Sequence, residues 1–301
     1  MKKIIFCISI LFGITAHADQ IVDVNFVAKN KTKTFFDNEV VLIDEAHNNF
    51  HTLEGRYQPF ANVLRSDGYV VKKNIQKFSL ESLKNVDVLV IANALSDKNI
   101  NNQNLPNFSA FTRKEVEAVY YWVKKGGSLL LIADHLPWPK ASDELASIFG
   151  FHFNNSYVEV VGNREQYFEL SDGSLAQHEI LKGFSEVQSI NKVRGFMGQG
   201  FLIPPSAKPL LVFAKEAIAY MPSKEWDIDD KTPVISATGW YQGATLEFHN
   251  GRVAVFGEAG MFTSQIDIDD DGEWKMGLTA KGSEQNEQFL INTMHWLSKK
   301  L

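Results

Sequence analysis

The feature that most constrains how this chain folds is a series of short apolar runs alternating with helical patterns. Val40–Ile43, Val86–Ala92 and Ser128–Ala133 are apolar runs of the kind typical of strands buried on both faces of a sheet. Tyr57–Asp67 and Phe111–Lys125 lie between them and carry apolar residues at helical spacing. This alternation predicts an α/β fold with a doubly wound, mostly parallel sheet of the flavodoxin type.

Local signals delimit several further elements. Thr112 followed by Glu115 is a capping-box pattern that predicts the start of the second helix. Asn250–Gly251, between Ala244–Phe248 and Arg252–Phe256, predicts a β-hairpin. Other elements are predicted at Tyr69–Val71, Ser142–Phe149 and Gln285–Leu297. From residue 151 to about 241 the segments are shorter and richer in Gly, Pro and polar residues, which predicts an extra segment of mixed strands.

Residues 1–18 have the pattern of a secretory signal peptide. Lys2 and Lys3 precede the apolar run Ile4–Ile14, and Ala16–Ala18 matches a small-x-small cleavage site. The run is too short to span a bilayer comfortably, and no second run approaches that length. We therefore expect cleavage after Ala18, a periplasmic or secreted protein without a membrane span, and a single domain from residue 19 to residue 301.

Charge and cysteine content exclude several classes of function. The formal net charge is −6 and the chain has no long basic run, which argues against nucleic acid as the main partner. Cys7 is the single cysteine and would be lost with the signal peptide. Disulfides, thiolate metal sites and a cysteine nucleophile are then excluded. The partner that remains is a small molecule, or a glycan or peptide of the cell envelope.

Polar and ionisable residues follow four of the predicted strands. Asp44–His51 follows the first strand, Asn93 the third, Asp134–His135 the fourth, and Glu258 the second strand of the hairpin. In open parallel sheets, ligands bind outside the carboxyl ends of the strands. The sequence therefore predicts a functional site at this edge of the sheet.

Four segments carry a resemblance to a known family. Lys124–His135 resembles the helix, Gly-Gly, strand and turn unit of the class I glutamine amidotransferase-like superfamily, which includes trehalose-utilisation-type domains. His178–Gly183 is similar to the His-Pro-Ile-x-x-Gly stretch of such domains, with glutamate in place of the proline. Val255–Phe262 and Asn286–Asn292 resemble a secreted branch of that superfamily. The resemblance covers most of residues 40–301 and implies a flavodoxin-like fold.

At the position of the family's catalytic cysteine, this chain differs from the amidotransferases that it resembles. The amidotransferases carry their cysteine nucleophile on the turn where this chain has Asp134 and His135. Glutamine hydrolysis through a thioester is therefore excluded for the mature chain. Glu258 lies near the position of the catalytic histidine of the family, so a conventional triad is not expected either.

Three interpretations of the strand-end residues stay open, and the first is a metal site. His47 and His51 are four residues apart, so one helical turn would place both on one face. Together with Glu45 they form a set that suits zinc or manganese, with an open position for water. Further candidate ligands are Asp44, Asp134, His135 and Glu258. Such a metal would activate the water for hydrolysis.

The second interpretation is acid–base catalysis. His135 would act as a base oriented by Asp134 or Glu258, and these three are the predicted catalytic residues. Asp44, Glu45 and Glu258 could also supply a glycosidase-like carboxylate pair.

The third interpretation is binding without catalysis. Asp44, Asn48, Asn93 and Gln199 are predicted to contact a sugar or peptide. Trp138, Trp240 and Tyr241 are the aromatic residues predicted to stack on it.

A separate acidic motif suggests calcium. Asp267–Gly272 matches the opening of a calcium-binding loop, but Leu278 stands where the bidentate glutamate is required. The alternatives are a calcium site of another geometry and a solvated acidic turn.

Overall fold

The computed structural model describes residues 19–30, 34–35, 39–162, 165–269 and 272–301. The predicted signal peptide, residues 1–18, lies outside the described residues. The elements, in chain order, are β1 Asp19–Val22, β2 Val40–Asp44, α1 Gln58–Ser66, β3 Val70–Asn74, β4 Val88–Ala92, α2 Arg113–Lys125, β5 Ser128–Ile132, α3 Trp138–Ser147, β6 Tyr157–Val160, β7 Gln166–Glu169, β8 Lys192–Gly195, β9 Lys208–Val212, β10 Ala217–Tyr220, β11 Val234–Ser236, β12 Tyr241–Phe248, β13 Gly251–Phe256, β14 Ser264–Asp269, β15 Gly272–Gly277 and α4 Asn286–Leu297.

The main sheet is mixed and has seven strands in the order β3-β2-β4-β5-β13-β12-β9. The first five strands pair in parallel. The last two are antiparallel to their neighbours. Three smaller antiparallel sheets accompany it, with strand orders β1-β14-β15, β11-β10-β6 and β7-β8.

The prediction of a doubly wound, mostly parallel sheet of the flavodoxin type is wrong. The chain forms a sheet-rich α/β protein in which a single mixed sheet is accompanied by several small antiparallel ones. The hairpin at Asn250 is one physical reason, because so short a connection joins antiparallel strands and leaves no room for a crossover helix. β9 then adds a second antiparallel strand at the same side.

The segment from residue 151 to 241 is divided among three sheets. β6, β10 and β11 form one small sheet, and β7 and β8 form another. β9 leaves this segment and becomes the edge strand of the main sheet. The segment is therefore joined to the main sheet through β9. Its description as an insertion stays a prediction, as does the single domain.

Helix boundaries follow local chemistry. At α2 the Thr112 side chain accepts from the backbone N–H of Glu115 and the Glu115 side chain accepts from that of Thr112, so the predicted capping box is confirmed. α3 begins at Trp138, four residues before the predicted start, because Pro139 is well suited to the first helical turn.

The main sheet is buried on both faces. Val41 and Ile43 lie in one hydrophobic core with Phe289 of α4. Leu42 lies in the opposite core with Trp122 of α2. The carboxyl ends of β2, β4, β5 and β13 consequently meet at one edge of a sheet whose strands are held from both sides. No helix in the described ranges is long and apolar enough to cross a bilayer.

Candidate functional site

A cavity of about 70 Å³ lies at this edge of the sheet. Five ionisable or amide residues predicted from the sequence line it: His51, Asn93, Asp134, His135 and Glu258. They come from four separate strand ends, and each of them is buried. The predicted location of the site is therefore matched by a cavity at the same edge.

Asp134 connects three strand ends. Its backbone N–H donates to Asn93 Oδ1 at 2.9 Å, and Asn93 follows β4. Its Oδ1 accepts from the backbone N–H of His135 at 2.9 Å, and its Oδ2 accepts from that of Ala259 at 3.2 Å. These bonds hold the carboxyl group in one orientation inside the cavity.

Glu258 is the second buried carboxyl group, with 1% of its surface exposed. Its oxygens accept from the backbone N–H groups of Gly260 and Met261, the latter at 2.9 Å. Burial raises the pKa of Glu258 well above its ordinary value, and the charge of Asp134 raises it further. Burial also raises the pKa of Asp134. Two carboxyl groups coupled in this way retain a proton at higher pH than an isolated carboxyl would.

His135 is oriented as a base. Its Nδ1 donates to the backbone oxygen of Leu136 at 2.9 Å, which leaves Nε2 unprotonated in the neutral ring. Burial lowers the pKa of His135, although the charge of Asp134 acts in the opposite direction. The ring stacks on Tyr157 with centroids 4.4 Å apart, and the Trp138 and Trp226 rings lie 5.0 and 4.5 Å away. A neutral, immobilised imidazole results.

Two buried polar atoms of the cavity residues have no hydrogen-bond partner. They are Nδ1 of His51 and Nδ2 of Asn93, and both side chains are at least 90% buried. Buried polar groups are normally hydrogen-bonded, and exceptions call for an explanation. Both residues line the cavity, so these atoms are candidates to pair with a molecule bound there.

His51 is expected to make the protein less stable as the pH falls below 6.5. Burial, followed by the charges of Arg56 and His135, lowers the pKa of His51 from 6.5 to about 3. Between those values the unfolded chain binds a proton at His51 that the folded protein does not bind. The free energy of unfolding should therefore fall by up to about 1.4 kcal/mol per pH unit from this residue.

The measurement is urea unfolding between about pH 7 and pH 4 for the wild type and His51→Gln. The variant should lose stability less steeply over that interval. Equal slopes for the two proteins would contradict the assignment of a neutral, buried His51.

The structure does not bring the predicted metal ligands together. Residues 45–52 form turns and not a helix, with Asn48 at a φ of 48°, so His47 and His51 do not share a helical face. Glu45 instead accepts from the backbone N–H of Leu53 at 2.8 Å. Across the described ranges, no group of three or more His, Cys, Asp and Glu side chains is placed to hold a metal ion.

His47 belongs to a buried hydrogen-bond network apart from the cavity. Its Nδ1 lies 2.7 Å from Asp44 Oδ2, and its Nε2 lies 2.8 Å from Glu115 Oε1. The ring packs between Phe78 and Phe111 at 4.6 and 4.7 Å. Both ring nitrogens of His47 thus already have protein partners.

Two residues predicted to contact substrate also lie away from the cavity. Asn48 is exposed and donates to Asp97 Oδ1 at 2.7 Å. Gln199 is fully buried; it donates to the backbone oxygen of Ala133 at 2.8 Å and accepts from the backbone N–H of Asn154 at 3.1 Å. These contacts hold loops against the strand ends.

Several cavity residues were not predicted. Arg56, Phe196 and Gln265 line the cavity but carry no motif in the sequence. Trp226 is the first residue of an acidic turn whose composition is typical of exposed surface. Its backbone N–H nevertheless donates to the Tyr157 hydroxyl at 3.1 Å, and Trp226 lines the cavity. The proximity of this turn to the strand ends depends on tertiary structure that a local pattern does not contain.

The predicted calcium motif lies in a β-hairpin. Asp267 and Asp269 are in β14 and Gly272 begins β15, with Asp267 opposite Trp274. Asp270 and Asp271 lie outside the described residues. An extended strand points successive side chains to opposite faces, so the helix-flanked loop geometry of an EF-hand is not formed here.

Comparison with known proteins shows the fold only. No family model and no curated protein matches the chain. The mmIFT52 N-terminal domain has a TM-score of 0.59 at 15% identity, over 86% of this chain and 97% of that one. The cytoplasmic protein STM1381 of Salmonella typhimurium LT2 scores 0.49 at 14% identity over 86% and 99% of the two chains. A Bacteroides uniformis protein described as ThuA-like scores 0.45 at 16% identity, over 87% and 92%. The first similarity shows a shared overall fold.

Proposed function

We propose that this protein is a hydrolase that transfers protons between His135 and the carboxyl pair of Asp134 and Glu258. One observation carries the proposal: a histidine kept neutral by burial and a carboxyl pair with raised pKa values line the same cavity. Titratable groups whose pKa values are shifted in opposite directions are the usual arrangement of a general base and a general acid.

The geometry assigns the two roles. Nε2 of His135 is the acceptor, because Nδ1 already donates to Leu136. It would take a proton from water as the water attacks the substrate. The proton held by the pair of Asp134 and Glu258 would pass to the leaving group, and the imidazolium would return its proton to the emptied carboxylate.

Aromatic side chains indicate the class of substrate. Phe50, Trp138 and Trp226 line the cavity beside the acid and the base. Aromatic faces combined with amide donors such as Asn93 are suited to a sugar or a small peptide. We propose such a molecule from the cell envelope as the substrate, which goes together with the proposed export of the mature chain and its proposed relation to the class I glutamine amidotransferase-like superfamily.

A second candidate function is binding without catalysis. The unpartnered atoms of His51 and Asn93 favour it, because they could pair with a ligand without taking part in a reaction. Tight binding of a ligand that is recovered unchanged would support this candidate over the hydrolase.

The test is a screen of 4-nitrophenyl glycosides, 4-nitrophenyl esters and short envelope peptides with the wild type and Glu258→Gln. A substrate that is hydrolysed should show a bell-shaped pH profile of kcat/KM. The acid limb should lie below pH 6.5, where His135 is protonated, and the alkaline limb above 4.5, where the carboxyl pair loses its proton. Glu258→Gln should remove most of the turnover, and unchanged turnover in that variant would contradict the proposal.

A further inference from the structure

We infer that the ligand of this cavity carries a carboxylate group and that Arg56 binds it. The inference depends on the proposed function only in taking this cavity as the ligand site. It adds a chemical class, namely small organic acids, and a residue that selects for it.

Arg56 is held in place by neutral groups. Its Nε donates to Gln265 Oε1 at 3.0 Å, and one terminal nitrogen donates to the backbone oxygen of Gln20 at 3.1 Å. The guanidinium lies over the Phe50 ring, 4.0 Å from its centroid. All of these residues line the cavity. The side chain is therefore fixed at the cavity without having its charge neutralised.

A carboxylate partner for Arg56 is lacking among the described residues. Arg113 and Arg194, by contrast, pair with Glu117 and Glu165 at 3.0 and 3.2 Å. Arg56 is half-buried, and that burial lowers its pKa. A cation withdrawn from water is stabilised by an anion placed against it. Arg56 lines the cavity, so an anion bound there would lie against it.

The remaining donors at the cavity are of the kind that a carboxylate accepts from. The second terminal nitrogen of Arg56 has no bond within the described part of the chain, and Nδ2 of Asn93 is buried and unpartnered. A guanidinium presents N–H groups in a planar fork that matches the two oxygens of a carboxylate. Asn93 would donate to another oxygen of the same ligand.

The first test uses the smallest carboxylate as the probe. Sodium formate should raise the thermal unfolding midpoint of the wild type more than the same concentration of sodium chloride does. Arg56→Gln should lose that difference, and Arg56→Lys should keep part of it because the charge remains. The matched control is Arg65→Gln, since Arg65 is exposed on α1 and its side chain donates to Asn62 Oδ1 at 3.5 Å.

The second test distinguishes two sources of the carboxylate. D-glucuronate is compared with D-glucose, and N-acetyl-Ala-Ala with its C-terminal amide, by calorimetry. We expect at least one acid to bind about tenfold or more tightly than its neutral counterpart, and Arg56→Gln to abolish that preference. The pair that shows the preference identifies a sugar acid or a peptide carboxylate.

The outcomes separate this inference from the proposed hydrolysis. His135→Ala should keep the preference for the acid, because the base does not bind the carboxylate. No formate effect and no preference for either acid would overturn the inference, as would an unchanged preference in Arg56→Gln. Hydrolysis of an acidic substrate with the same KM by the wild type and Arg56→Gln would overturn it while leaving the hydrolase standing.

Discussion

Replacing His135 with alanine is expected to lower kcat/KM for the hydrolysed substrate by about 10²- to 10⁴-fold, the usual contribution of a positioned general base. The imidazole is the group whose acceptor nitrogen is left free, by the bond from Nδ1 to Leu136, while burial keeps the ring neutral. The variant loses the acceptor but retains the carboxyl pair. The measurement is steady-state kinetics on the substrate found in the screen.

Imidazole in the buffer gives this prediction a second measurement. The space left by the ring, between Tyr157 and Trp226, should admit free imidazole and restore part of the rate. The control is His152→Ala, because His152 is exposed and its backbone pairs with that of Leu202. A loss of less than about threefold in His135→Ala would rule out a general base at this position.

Replacing His47 with alanine is expected to lower the free energy of unfolding by about 3–5 kcal/mol. Asp44 and Glu115 are both buried and both bonded to His47, at 2.7 and 2.8 Å. Burial disfavours ionisation of Glu115, but the bonds from Thr112 and His47 outweigh it and lower its pKa. Removal of the imidazole leaves two carboxylates facing each other without a donor between them.

Urea unfolding of three variants checks this prediction. His152→Ala should change the free energy of unfolding by less than about 0.5 kcal/mol, as for an exposed position. Adding Glu115→Gln to His47→Ala should recover part of the loss, because one unpaired charge is removed. A different result, in which His47→Ala barely changes stability and instead removes bound zinc or manganese on elemental analysis, would make His47 a metal ligand.

That several of the predicted residues lie together at one cavity was predictable, because they stand at strand ends. Asn93, Asp134 and Glu258 each come directly after an apolar run, and adjacent parallel strands deliver such residues to one edge. The capping box at Thr112 was predictable for a similar reason, since all its atoms lie within four residues. These are cases in which local sequence determines position.

The roles of individual residues were less predictable. The four-residue spacing of His47 and His51 indicated a shared helical face. Because the chain turns at Asn48, His47 instead contacts Glu115 and His51 lines the cavity. Glu115 is 68 residues away from His47. Arg56 and Trp226 reach the cavity through tertiary contacts, and nothing in their neighbouring sequence indicates this.

The topology was mispredicted for a related reason. A buried strand has the same apolar pattern whether its neighbour is parallel or antiparallel, so the apolar runs alone do not determine strand direction. β9 shows this, because its Leu210 and Leu211 are buried at an antiparallel edge of the main sheet. The connection lengths, and not the strand patterns, carried the information on direction.

The unpartnered atoms of His51 and Asn93 have a consequence for discrimination between similar molecules. A buried donor or acceptor that a ligand leaves unmet costs roughly 1–3 kcal/mol, so an analogue lacking one matching oxygen or nitrogen should be rejected more strongly than one lacking a methyl group. Selectivity would then depend mainly on whether a ligand makes hydrogen bonds to these two atoms. A narrow range of accepted molecules is what such a lining would produce.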